Sequence, residues 1–255
     1  MLELNNVSIA YDNQVVVNKL SCQFIKHKIT TIIGPNGCGK STLLKAISKG
    51  KRINAGSISL NGKPLMKIKY KELAKIIALL PQNPQIPYSI TAKQLITLGR
   101  YPFHKWNSGL SGADKEVIER VIKQTNIVNL QEKYLHEMSG GEKQRAWIAM
   151  TLAQEPQLLL LDEPTTFLDI NHQYETLELI KKLNEQQKIT IVMVLHDINQ
   201  AARYSDNIIV MNKGQVKAQG SVTDVINEQL IQQVFKLKTK IILDEINNKP
   251  IIIPI

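Results

Sequence analysis

The residues most able to do chemistry lie between Thr30 and Leu44, TTIIGPNGCGKSTLL. Four β-branched residues, Thr30 to Ile33, read as a short buried strand. The turn Gly34, Pro35, Asn36, Gly37, Cys38, Gly39 follows, and Lys40, Ser41 and Thr42 then open an apolar run that reads as a helix. The spacing G-x-x-x-x-G-K-S is that of a phosphate-binding loop. Glycine lets backbone N–H groups approach a phosphate chain with no Cβ in the way. A helix N-terminus adds donors and the positive end of a dipole. Lys40 brings a point charge for the β- and γ-phosphates, and Ser41 a hydroxyl for Mg²⁺. The motif says that a nucleotide is bound and not what its energy drives.

Further carboxylates and donors stand at the ends of predicted elements. Leu158 to Leu161 is an unbroken apolar run, as expected of a strand buried on both faces, and it ends in Asp162 and Glu163. Asp162 suits a metal ion, and Glu163 suits positioning and polarising a water. A second buried strand, Thr190 to Leu195, ends in His196. That histidine is either packed or, at a carboxyl strand end, polar in role. Gln82 directly follows a short strand, Ile76 to Leu80, stopped by Pro81. Met138 to Gln144 reads MSGGEKQ, with Ser139 as N-cap and Gly140 and Gly141 ahead of a helix. It can present N–H groups to phosphate or be an ordinary capped helix start. Tyr11, at a strand end, is either packing or a face for an adenine ring.

These groups need a scaffold. The first thirty residues alternate like antiparallel strands, with a slip near Asn5 and Asn6. Ser57 to Leu60 with Asn61-Gly62 reads as a strand entering a hairpin turn. From about Thr91 to Ala153 the apolar period becomes helical, through Leu95, Ile96 and Leu98 and then Val117, Ile118, Val121 and Ile122, and Pro84 to Ala153 reads as a helical insertion. A helix over 172–186 follows Asp169, and residues 208–218 read as an edge hairpin. Two β-like runs, at 240–243 and 251–253, suggest a small terminal hairpin.

Composition narrows the class. The chain has 255 residues, 43% of them hydrophobic, enough for one large core with an inserted subdomain. No apolar run approaches the roughly 18–20 residues of a membrane span. The start has no signal-peptide pattern, so a cytosolic chain is expected. Cys22 and Cys38, one in a strand and one in the loop, are not expected to pair. The net charge of +10 comes from dispersed lysines, densest at Lys63, Lys67, Lys69, Lys71 and Lys75. Without interleaved aromatic residues they do not read as a nucleic-acid platform.

Together the motifs resemble an ABC-type ATPase, the nucleotide-binding subunit of a transporter, over essentially the whole chain. GPNGCGKST matches Walker A, Gln82 the Q-loop and MSGGEKQ the signature. LLLLDEP matches Walker B, TTFLD the D-loop and His196 the switch histidine. The resemblance implies an α/β P-loop NTPase fold with a mostly parallel core sheet, an N-terminal antiparallel β-subdomain and an inserted helical subdomain. The expected division is a core with β-subdomain over 1–83 and 154–235, a helical signature subdomain over 84–153 and a β-like extension over 236–255. The family implies ATP and Mg²⁺, with Ser41, Gln82 and Asp162 on the metal and Glu163, His196 and Gln82 as the catalytic set. The resemblance also implies that Tyr11, the loop residues 34–42, Ser139, Gly140, Gly141 and Asp169 contact nucleotide in a head-to-tail dimer. Met138 and Glu142 depart from the usual Leu and Gln of the signature. Glu142 either points at nucleotide and weakens binding, or caps the helix or faces solvent.

Likeness is closest to importers of ferric siderophores, haem and cobalamin, through GRYPF, TTFLDINHQ and VLHDINQAARYSD. It implies ATP-driven ferric-siderophore uptake, with cobalamin, haem or another transported solute as the alternative. A non-transport ABC ATPase and a non-catalytic regulator are less well matched. The implied partners are a separate membrane permease, through it an extracellular solute-binding protein, and a second copy of the chain, with no nucleic acid. The implied place is peripheral, on the cytoplasmic side of the membrane. The aromatic-basic stretch Gly99 to Trp106 is the candidate permease-facing surface, with Arg100 and Lys105 as its charges.

Overall fold

The computed structural model describes residues 2–12, 14–85, 89–104, 109–245 and 247–255. In chain order the elements that matter are β1 (Leu2–Tyr11), β2 (Gln14–Phe24), β3 (Ile29–Ile33), α1 (Lys40–Ile47), β4 (Ala55–Leu60), β5 (Lys63–Pro64), α2 (Tyr70–Leu73) and β6 (Ile77–Leu80). Then come α3 (Ala92–Leu98), α4 (Gly112–Gln124), α5 (Gly140–Ala153), β7 (Leu158–Asp162), α6 (Ile170–Gln187) and β8 (Thr190–Val194). The chain closes with α7 (Ile198–Tyr204), β9 (Asn207–Asn212), β10 (Gln215–Ser221), α8 (Val222–Val225), α9 (Glu228–Phe235), β11 (Thr239–Leu243) and β12 (Pro250–Pro254). The residues cluster into two units, 1–68 with 184–255, and 69–183.

In the first unit, the period-2 alternation of β1 buries Leu2, Leu4, Val7 and Ile9. β1 pairs antiparallel with β2 and β4. The register slips after Leu4, where Asn6 takes a left-handed φ of 49° that an asparagine tolerates. β3 is buried along its whole length and pairs in parallel with β8 and β9. β9 turns back into β10 through Lys213 and Gly214, and Asn18 N donates to Gly214 O at 2.9 Å, tying the antiparallel strands to that turn. Opposite α7, β11 and β12 form an antiparallel hairpin. Asn199 holds it by donating to Ile252 O at 3.0 Å and accepting from Ile252 N at 2.7 Å.

In the second unit, β6 and β7 pair in parallel with Leu80 opposite Leu161. All four leucines of 158–161 are buried, each contributing on the order of 2 kcal/mol by removal from water. Helices α3, α4 and α5 all start at capping boxes, on Thr91, Ser111 and Ser139. Their buried faces carry Leu95 and Ile96, then Val117, Ile118, Val121 and Ile122, then Ala146, Ile148 and Ala149. The α/β class, the antiparallel N-terminal strands and the helical character of 91–153 agree with expectation. Among the described residues, no helix is long and apolar enough to cross a membrane. Both cysteines are free and buried.

Candidate active site

The first unit carries the phosphate loop. It leaves the carboxyl end of β3 at Gly34 and closes into α1 at Gly39. A Cβ on Gly34, where φ is 154°, would sit 2.1 Å from Met211 O, so the loop can run this close to the strand only with glycine there. Gly39 is the N-cap of α1 with a left-handed φ of 102° and no side-chain cap. Lys40 is 5% exposed, and its Nζ donates to Gly34 O at 2.7 Å and Pro35 O at 3.1 Å. The ammonium is thus folded back over the loop that it serves. Burial pushes the Cys38 thiol up, with the Lys40 charge pulling the other way, so Cys38 stays protonated and fills space. Because β8 runs parallel to β3 with Ile32 opposite Val194, His196 emerges from the same end of the strands as the loop. It is exposed there, just ahead of Asp197, which caps α7 through Gln200 N at 2.8 Å. Tyr11 ends β1 and is 39% exposed, with the Lys51 ammonium 3.9 Å from its ring centroid.

The second unit carries two further groups. At the ends of β6 and β7 stand Gln82, Asp162 and Glu163. Asp162 is 3% exposed and Glu163 8%. Glu163 takes a left-handed φ of 54°, a conformation that costs a non-glycine residue about 1–2 kcal/mol. It is held by two donors, Gln82 Nε2 and Thr166 Oγ1 (the latter at 3.1 Å), both on Oε2. The backbone and these donors together fix the direction of the carboxylate.

The other group is the start of α5. Ser139 Oγ accepts from Glu142 N at 3.3 Å, and Glu142 Oε2 accepts from Ser139 N at 2.7 Å. The Ser139 N–H, aided by Lys133 at 3.5 Å, holds the Glu142 carboxyl below its usual range. Of the three orientations left open, Glu142 therefore takes the capping one. Met138 fills its leucine position as a buried side chain. Asp169 caps α6, its Oδ1 accepting from His172 N at 2.9 Å.

Arg100 departs from expectation. It is 5% exposed rather than a surface charge, and its Nε donates to Asp114 Oδ1 at 2.8 Å. Its Nη1 donates to Ala153 O at 2.8 Å and Glu155 Oε2 at 2.9 Å. Hydrogen bonds from Ser111, then from Arg100, bring the Asp114 pKa down to about 2. The residue clamps α4 to the end of α5. Lys105 and Trp106 lie outside the described residues. Thr166 and His172 went unmarked in the sequence. Their only signal was the spacing: three residues after Glu163 for Thr166, and the run Asp169, His172, Glu175 at i, i+3, i+6 for His172.

A phosphate loop after a buried strand, with carboxylates at parallel strand ends, defines a P-loop NTPase. The chain belongs to the ABC transporter family, whose model matches residues 17–166. It is 43% identical over 250 residues to the iron(3+)-hydroxamate import ATP-binding protein FhuC of Bacillus subtilis (strain 168), covering 98% of this chain and 93% of that one. It is 41% identical over 253 residues to the petrobactin import ATP-binding protein FpuD of Bacillus anthracis, covering 99% and 93%. The ATP-binding cassette MJ0796, solved as a dimer in a post-hydrolysis state with ADP and Pi, superposes with a TM-score of 0.75 at 28% identity, covering 87% of this chain and 98% of that one.

Proposed function

We propose that this chain is the ATP-hydrolysing subunit of an importer for ferric siderophores. The observation that carries the catalytic part is the seat of Glu163, a buried carboxylate in a costly backbone conformation with two side-chain donors on one oxygen. Such a group is built to polarise a water rather than to hold the fold. Lys40 and the loop residues 34–42 bind the phosphates of ATP, and His196 addresses the γ-phosphate. Tyr11, partly exposed at the end of β1, takes the adenine.

The donors assigned to Mg²⁺ are the hydroxyl of Ser41, the carboxylate of Asp162 and the amide oxygen of Gln82. All three are hard oxygen ligands of the kind that ion takes, and the bound ion supplies charge to the phosphates. The amide nitrogen of Gln82 is engaged by Glu163, which leaves its oxygen for the metal.

Ser139, Gly140, Gly141 and Asp169 serve the ATP of a second copy. Phe167 and Ile170, 85% and 74% exposed, flank Asp169 and offer that copy an apolar contact. The chain's partners are membrane permease subunits, which its ATPase cycle drives, and through them an extracellular binding protein that delivers the solute. The chain sits peripherally on the cytoplasmic face. Exposed Tyr70, Leu98 and Tyr101 are the permease-facing candidates. Lys71 Nζ links α2 to His104 O at 2.7 Å in the same unit. The solute assignment draws on relatives named for iron(3+)-hydroxamate and petrobactin import.

The test is uptake of labelled ferric siderophores by cells lacking the chain. Uptake is expected to fall, to return with the native chain and to stay low with Glu163→Gln. Unchanged iron uptake alongside Glu163-dependent ATPase activity would move the solute to another class.

A further inference from the structure

The D-loop and the signature are separate motifs in the sequence, yet in the second unit one residue bridges them, its ring on the signature and its backbone N–H on the D-loop. The ring of His172 lies against Gly141. A Cβ built on that glycine would come 2.7 Å from His172 Cγ and 2.9 Å from Cδ2. Next to it, Gly140 faces Leu168 and the backbone of Phe167, at 3.5 and 3.8 Å from a built Cβ. The signature glycines thus form the surface on which Phe167, Leu168 and His172 rest.

His172 is anchored on its far side as well. Its Nδ1–H donates to Glu175 Oε2 at 2.9 Å. Arg145 Nη1, from α5, donates to the same oxygen at 3.2 Å, and Asn171 Nδ2 donates to Oε1 at 2.9 Å. Three donors converge on that carboxylate, and the His172 hydrogen bond is the largest cause of its lowered pKa. The backbone N–H of His172 donates to Asp169 Oδ1 at 2.9 Å, while Nε2 stays 3.9 Å from Asp169 Oδ2, beyond hydrogen-bond reach. Side chains here are 22 to 68% exposed, so their Coulomb attraction is screened. What the arrangement supplies is geometry.

From this contact set we propose that His172 is a positioning residue that locks Asp169 of the D-loop to Gly141 of the signature, so that the two meet the partner copy's nucleotide as one piece. The inference rests on the reading above that both motifs serve a second copy. His172 touches no substrate. It sets the distance between two groups that do. Glu175 and Arg145 hold the ring in the plane that Gly141 requires.

The experiment uses the purified full chain. ATP affinity is read at low protein concentration with a fluorescent ATP analogue, and ATPase kcat, KM and Hill coefficient are read at high concentration. His172→Ala is expected to leave single-chain ATP affinity within about twofold and to lower kcat roughly 10- to 100-fold, the range for a misplaced reacting constellation. His172→Asn keeps a side-chain donor for Glu175 and is expected to recover part of kcat. His172→Phe keeps the ring on Gly141 without that donor and guards against loss of fold, because it preserves the packing. A native kcat and Hill coefficient in both His172→Ala and His172→Phe would overturn the proposal. A loss of ATP affinity matching the loss of kcat would also overturn it, by making the role one of general stability. If the native chain itself shows no ATPase activity and no cooperativity, the reading beneath fails instead, which separates the two outcomes.

Discussion

Helices α1 and α5 both begin at glycine-rich turns and both are assigned to phosphate, but they are built in opposite ways. α1 starts at Gly39, in a left-handed conformation, with no side chain to cap it and a lysine folded over the loop. α5 starts at Ser139, whose hydroxyl and N–H are both engaged in a reciprocal cap with Glu142. The first is a cradle that has its glycine geometry and its cation in place within one unit. The second is a helix start whose serine oxygen and N–H are already satisfied by its own cap. Under the proposed function the contrast separates a motif that binds alone from one that engages only when something is brought to it: α1 is proposed to hold ATP in a single chain, and α5 to act in a closed dimer.

The largest effect expected from this contrast comes from Lys40→Ala. A charge-assisted hydrogen bond is worth about 1.5–3 kcal/mol, so single-chain ATP affinity should fall roughly 10- to 150-fold by equilibrium fluorescence titration. Affinity within twofold of native would remove α1 as the principal cradle.

Ser139→Ala comes next. It should leave single-chain affinity unchanged, lower kcat, and cost about 1 kcal/mol of stability from the lost cap, read as a lower denaturation midpoint. Reduced affinity with intact kcat would reverse the roles of the two helices.

The smallest effect is that of Glu142→Gln. The folded pKa of Glu142 lies below its unfolded value of 4.5, so its contribution is complete above that pH and fades as pH falls through the folded value. Thermal melts should show the native chain losing slightly more stability than the variant between pH 5 and 3, by a few tenths of a kcal/mol. Parallel melts across that range would mean that the cap does not depend on charge.

How much of this was legible follows from how local each signal is. The phosphate loop, the leucine strand ending in Asp162 and Glu163, and the capped start at Ser139 are each contiguous runs, and the structure forms each where the pattern places it. The orientation of Glu142 was not legible, because a residue three positions into a helix can turn to its own cap or outward with the same sequence. Arg100 was misread for a different reason. In an aromatic-basic stretch it looks like a surface charge, and its partners lie 14 and 55 residues away, at Asp114 and Glu155. Burial of that arginine is decided by tertiary pairing, since a charge can be buried only where its partners have been assembled. His172 shows the same limit. Its spacing to Asp169 and Glu175 is visible, but its seat on Gly141 depends on how α6 meets α5.

One helix start is proposed to bind nucleotide alone and the other to act only across a pair of chains. The most direct test of that division sets Lys40→Ala beside Ser139→Ala in one titration of a fluorescent ATP analogue, carried out at protein concentrations too low for pairing. The account predicts that Lys40→Ala loses binding while Ser139→Ala binds like the native chain. Equal loss in both variants would contradict it, placing the signature in the single-chain site.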